Sequence, residues 1–77
     1  MKVFGYDIPV PVELACEDRM RSGELFTCST IEELAHKLGV PLSRSNDPIA
    51  YRFADRLIQR ERKAGRIKRI GRSWVAK

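Results

Sequence analysis

Apolar residues recur at a helical period in three stretches of this chain, and a basic, β-prone tail follows the third. The clearest stretch is Ile31, Leu34, Ala35 and Leu38, spaced i, i+3, i+4, i+7, which predicts a helix over 30–38 with one buried stripe. Ser29 or Thr30 is its expected N-cap, Glu32 or Glu33 completes a capping box, and Gly39 ends it. Upstream, Val12, Ala15, Cys16 and Met20 share one side of a helix expected over 11–22. Pro11 suits its first turn, and early acids (Glu13, Glu17, Asp18) with late Arg19 and Arg21 match the helix dipole. Gly23 reads as its C-cap, Leu25–Cys28 as a short strand, and residues 2–8 as a short strand or extended arm.

In the third stretch Ile49, Phe53 and Leu57 lie four apart, flanked by Ala50, Ala54 and Ile58. This predicts a helix over 48–64, opened by an Asp47 cap with Pro48 at the first position and stopped by Gly65. By the same spacing Arg52, Arg56, Gln59, Arg60 and Lys63 take the opposite side. Beyond Gly65, two β-prone runs flank Gly71-Arg72, the signature of a tight hairpin over 66–76. That register sets Arg69 opposite Trp74, in reach of a cation–π contact. The expected fold is mainly α with a small β element, a three-helix bundle plus C-terminal β-hairpin forming a single domain of residues 1–77.

A chain of 77 residues is near the lower limit for folding without a staple. It lacks a run of 18 apolar residues, and Met1 to Pro9 has no continuous apolar stretch or cleavage-site pattern, so a soluble cytoplasmic protein without a membrane partner is expected. Net charge is +5, and its distribution says more than its size. Residues 1–43 hold four Lys/Arg against seven acids, whereas residues 44–77 hold eleven against three. Such asymmetry points to a polyanionic partner for the C-terminal half.

Cys16 and Cys28 are the only cysteines and His36 the only histidine, so no structural zinc set exists and no metal or other cofactor is expected. A Cys16–Cys28 disulfide is compatible with the spacing. Cys16 lies on the apolar stripe with Val12 and Met20, and buried packing is the expected role of both thiols. His36 falls on the outward side of its helix beside Glu32 and Glu33, with no nucleophile at a recognisable spacing. Catalytic triads and phosphate-loop motifs are absent, which predicts a protein that is not an enzyme.

Two segments carry a family resemblance. Thr30-Ile-Glu-Glu-Leu-Ala-His-Lys-Leu-Gly-Val40 resembles the opening of a helix-turn-helix, with small Ala35 where helices cross and Gly39 at the turn. Leu57-Ile-Gln-Arg-Glu-Arg-Lys-Ala-Gly-Arg-Ile67 resembles a recognition helix running into a first wing strand, with Gly71-Arg72 as wing tip. Over about residues 29–76 the chain is thus similar to the winged helix-turn-helix superfamily. The resemblance divides it into an arm or short strand (1–9), a helix-turn-helix (30–64) and a wing (66–76). The loop from Val40 to Asp47 departs from it, being about twice the usual three or four residues.

The resemblance implies a double-stranded DNA partner, with the third helix in the major groove and the wing on adjacent backbone. It also implies a small bacterial or phage transcriptional regulator or accessory factor. The candidate DNA-binding residues are Arg44, Ser45 and Asn46 in the loop, Arg52, Arg56, Gln59, Arg60 and Lys63 on the third helix, and Lys68, Arg69 and Arg72 in the wing. The competing account of the helix residues is a solvated outer face. Trp74 is expected to be a core plug pinning the wing to the bundle rather than a stacking platform. Two alternatives stay open beside duplex DNA. One is a protein–protein adaptor working through the acidic half or the arm Val3-Phe-Gly-Tyr6; the other is RNA binding by the same basic face. A homodimer also stays open.

Overall fold

The computed structural model describes all 77 residues. Strands β1 (Lys2–Val3) and β2 (Tyr6–Asp7) form a small hairpin, followed by helix α1 (Val10–Met20), helix α2 (Cys28–Lys37) and helix α3 (Ile49–Lys63). Strands β3 (Ile67–Ile70) and β4 (Ser73–Ala76) close the chain as a second antiparallel hairpin. The architecture is a three-helix bundle with a C-terminal hairpin, and no helix is long and apolar enough to cross a membrane.

Sixteen apolar residues make one core. From α3 come Ile49, Ala50, Phe53, Ala54, Leu57 and Ile58, the set its periodicity predicts. Val12, Cys16 and Met20 come from α1, Ile31 and Ala35 from α2, and Phe26 from the segment between them. The predicted arm is a hairpin instead: Val3 and Ile8 are buried, and a two-residue turn at Phe4-Gly5 lets the chain fold back.

α2 differs from expectation at both ends. Its N-cap is Thr27, not Ser29 or Thr30: the Thr27 hydroxyl accepts from the Thr30 amide at 3.3 Å, and the Thr30 hydroxyl accepts from the Thr27 amide at 3.0 Å. Two threonines thus close the box assigned above to a glutamate, and Cys28 begins the helix. The strand expected over 25–28 shrinks to one residue. Phe26 exchanges backbone hydrogen bonds with Trp74 (2.9 and 2.8 Å), which fastens β4 to the bundle.

At the other end Leu38, expected on the buried stripe, is 45 % exposed, while Val40 is fully buried. The reason is the helix stop. The Gly39 amide donates to the His36 carbonyl and the Val40 amide to the Ala35 carbonyl, a Schellman turn that swings Val40 back onto the core. Gly39 sits at φ 108°, a conformation a side chain would strain. α3 ends the same way, with Gly65 donating to Arg62 and Arg66 to Glu61.

The enlarged 41–47 loop corrects the expected cap of α3. Arg44 and Asp47 exchange amide–carbonyl bonds (3.0 and 2.9 Å) across a two-residue turn, with Ser45 and Asn46 at φ 51° and 69°. Asp47 is committed to this turn, so Pro48 takes the N-cap position and no side chain caps the helix. The Pro41 carbonyl accepts from the Ala50 amide instead (3.2 Å), satisfying one of the orphan donors of the first turn.

Candidate nucleic-acid interface

The eleven lysines and arginines of the C-terminal half do not form one equivalent surface. Three of them, Arg52, Arg60 and Arg66, lie within salt-bridge distance of a carboxylate, which leaves eight that do not. Helix geometry explains the division on α3. Each step of four residues advances about 400°, one turn plus about 40°, so a row of residues four apart drifts about 40° around the axis at each step. The row Arg52, Arg56, Arg60 therefore starts on the outer face and ends against α1.

Arg60 bridges two α1 carboxylates: it donates to Glu13 at 2.8 Å and to Glu17. Its hydrogen bond with Glu13 pushes its pKa above the ordinary arginine value, so it stays charged and tethered. Arg56 donates to the backbone carbonyl of Lys2 at 2.9 Å, tying α3 to β1. Arg52 lies 3.8 Å from Asp55, one turn on. Two members of the expected arginine stripe are thus fasteners between elements, and the third has an acid beside it.

The outward side of α3 is completed by a residue that the sequence reading left out. Arg62 is exposed, and its Nε donates to the side-chain oxygen of Gln59 at 3.0 Å. This leaves both terminal nitrogens of the guanidinium unbonded within the protein. Arg62 falls on the Gln59 face by i, i+3 spacing, a signal present in the sequence but outranked by the more regular four-residue row. Lys63 is exposed beside it, with no carboxylate partner.

In the β3–β4 hairpin, Ile67 is buried and pairs with Ala76, while Lys68, Arg69 and Ile70 are exposed. The expected register holds: Arg69 lies opposite Trp74, with its guanidinium carbon 5.7 Å from the ring centroid. Gly71 and Arg72 form the exposed tip. Trp74 is half-buried against the core, which makes it a structural anchor. In the 41–47 loop Arg44 lies over the Tyr6 ring at 5.5 Å, and Ser45 and Asn46 form the exposed turn beside it.

One buried group fixes the hairpin to the helices. Glu61 is fully buried, accepts two bonds from Arg21 (3.0 and 3.1 Å) and one from Arg66 (2.6 Å). Arg21 follows α1 and Arg66 precedes β3, so a single carboxylate joins α1, α3 and the hairpin.

Both cysteines are free thiols. Burial pushes the Cys16 thiol up to about 11, with the Glu17 charge adding to it. Burial also pushes Cys28, only half-buried, up to about 11, helped by the charges of Asp55 and Glu32. Neither is a thiolate at neutral pH, so neither is a ready nucleophile. The exposed His36 ring bonds the Val40 carbonyl at 2.9 Å through Nδ1 and so braces the end of α2. Comparison of the chain with protein-family models, curated proteins and solved structures finds no match.

Proposed function

We propose that this protein is a small winged-helix, double-stranded DNA-binding protein that acts in transcription regulation without enzymatic activity, with α3 against the major groove and the β3–β4 hairpin as a wing on adjacent backbone. The observation that carries the reading is the concentration of cations without carboxylate partners, Arg62, Lys63, Lys68, Arg69 and Arg72, on one helix and the hairpin that follows it. The element order, and the pairing of Phe26 with the last strand, support the winged-helix assignment. Charge consumed inside the fold supports a nucleic-acid partner over an acidic docking face. Glu13 and Glu17 neutralise Arg60, and Glu24 pairs with Arg19, so three of the seven acids of residues 1–43 are matched by cations of the fold itself.

Fluorescence anisotropy with labelled duplex DNA across a salt series tests this. Binding through five phosphates gives a log–log slope of about −4 to −5. Absence of duplex binding at low salt would refute the reading. One observation favours the adaptor alternative instead: Phe4 sits at the tip of the β1–β2 hairpin with 47 % of its surface exposed. An aromatic displayed on a turn suits protein recognition, and a Phe4→Ala variant that retains DNA affinity but loses a protein partner would promote that reading.

A further inference from the structure

Building on the duplex-binding reading, we propose that the principal DNA-contacting surface is the β3–β4 hairpin together with Arg62 and Lys63 at the end of α3, and that the rest of α3 is scaffold. The cations along α3 differ in what they are doing. In the leading half Arg52 has Asp55 beside it and Arg56 holds the Lys2 carbonyl, while Arg60 farther on is locked to Glu13 and Glu17. An arginine that leaves such a partner for a phosphate exchanges one interaction for another and gains little.

The trailing segment is different in kind. From Arg62 to Lys77 the chain contains no acid, and only Arg66 has a carboxylate partner, the buried Glu61. Arg62, Lys63, Lys68, Arg69, Arg72 and Lys77 are all exposed. They also sit on a braced element. β4 is bonded to Phe26, Arg69 covers Trp74, and Arg66 is tied through Glu61 to Arg21. A hairpin held to the bundle at two points and braced across its own strands by Arg69 and Trp74 presents its charges with little ordering left to do on binding.

Chemistry at the tip fits a groove rather than a bare phosphate row. Ile70 is 49 % exposed and lies between Arg69 and Arg72, placing apolar surface where sugar and base edges line a groove and cations where the phosphates flank it. Arg62, steered by Gln59, offers a free two-pronged guanidinium, the geometry that reads a guanine edge or clamps one phosphate. Arg62 and Ile70 thereby join the contact set, and Arg52, Arg56 and Arg60 leave it.

The test compares salt dependence of duplex binding for paired variants. Lys68→Ala with Arg72→Ala, and separately Arg62→Ala with Lys63→Ala, should each flatten the log–log slope by about 1.8, roughly 0.9 for each lost phosphate contact. Arg52→Gln with Arg56→Gln should leave the slope unchanged; Arg52→Gln alone, which leaves the β1 tether intact, guards against a folding artefact. Ile70→Ser should weaken binding without changing the slope, a signature that charge loss does not produce. If the Arg52/Arg56 pair flattens the slope as much as the hairpin pair does, or the hairpin pair leaves it unchanged, duplex binding stands and the hairpin-centred assignment falls. If wild type binds no duplex at all, both fall together.

Discussion

Glu61 offers the sharpest test of how the parts are joined, because the carboxylate and its partners differ in their access to water. Glu61 is fully buried, whereas the side chains of Arg21 and Arg66 are 46 % and 51 % exposed. Removing the arginines therefore strands a charge inside the protein, while removing the carboxylate releases two cations that can turn outward. Leaving a buried charge unpaired costs about 3–5 kcal/mol, whereas replacing a whole buried ion pair or triad with apolar groups of similar volume is often neutral. Arg21→Ala with Arg66→Ala should thus destabilise by about 3–5 kcal/mol. A domain of this size has about 4–12 kcal/mol in all, so this approaches unfolding at the lower end. Glu61→Leu should cost about 1–2 kcal/mol, chiefly for lost charge-assisted hydrogen bonds. The decisive variant is the triple: adding Glu61→Leu to the double arginine variant should recover stability. Urea unfolding followed by circular dichroism measures all four proteins. A triple variant less stable than the double would refute the reasoning, as would a double variant as stable as wild type.

The remaining predictions are more local. Ile31→Ala should cost about 2–5 kcal/mol, since the side chain is fully buried, while Leu38→Ala should cost no more than about 0.5 kcal/mol; equal losses in thermal melts would contradict the Schellman-turn account of α2. Buried Cys16 and half-buried Cys28 titrate at about 11 in the folded chain against 9.0 for the unconstrained group, so the folded state holds protons that the unfolded state releases. Their stabilising contribution is complete below pH 9 and is lost progressively as pH rises from 9 towards 11. Cys16→Ala should accordingly show a shallower loss over that window, and an unchanged pH slope would count against its burial. Phe4 adopts φ 50° in the Phe4-Gly5 turn, a conformation suited to Asn, so Phe4→Asn should raise the melting temperature by a few degrees. A lowered melting temperature would show that Phe4 packs better than its exposure indicates.

What the sequence revealed of this fold is what depends on local spacing. Helix periodicity locates α3 and its six buried apolar residues because 3.6 residues per turn decides which side chains share a face. The Arg69–Trp74 pairing was legible because a two-residue turn at Gly71-Arg72 permits one register. Caps and loops were less legible. Thr27 outcompeted Ser29 and Thr30 as N-cap through contacts that a sequence pattern ranks only weakly, and the Arg44–Asp47 turn took the residue expected to cap α3. Val40 followed a glycine and looked like loop, but the Schellman turn that Gly39 allows brought it into the core.

The candidate site shows where this limit matters most. A helical wheel gives each arginine an angle but not a neighbour, and a charge acts on a ligand only if no closer partner has claimed it. Arg60 looked equivalent to Lys63 on the wheel, but one faces two α1 glutamates and the other faces water. The acids responsible lie more than forty residues away in sequence, so no window along the chain reveals the pairing. Net charge misleads for the same reason: Glu13 and Glu17 hold Arg60, Glu61 holds Arg66 and Asp55 lies beside Arg52, so three of the eleven cations in the second half have a carboxylate of the fold as neighbour. The asymmetry that first suggested a polyanion survives this correction in a narrower place. From Arg62 to Lys77 there is no acid, and of the cations in that stretch only Arg66 has a carboxylate partner; Arg62 leans on Gln59, and Arg69 on Trp74 and the Gly71 carbonyl. A functional surface in a small basic protein is therefore better sought among the cations its own fold leaves unclaimed than among the cations its sequence contains.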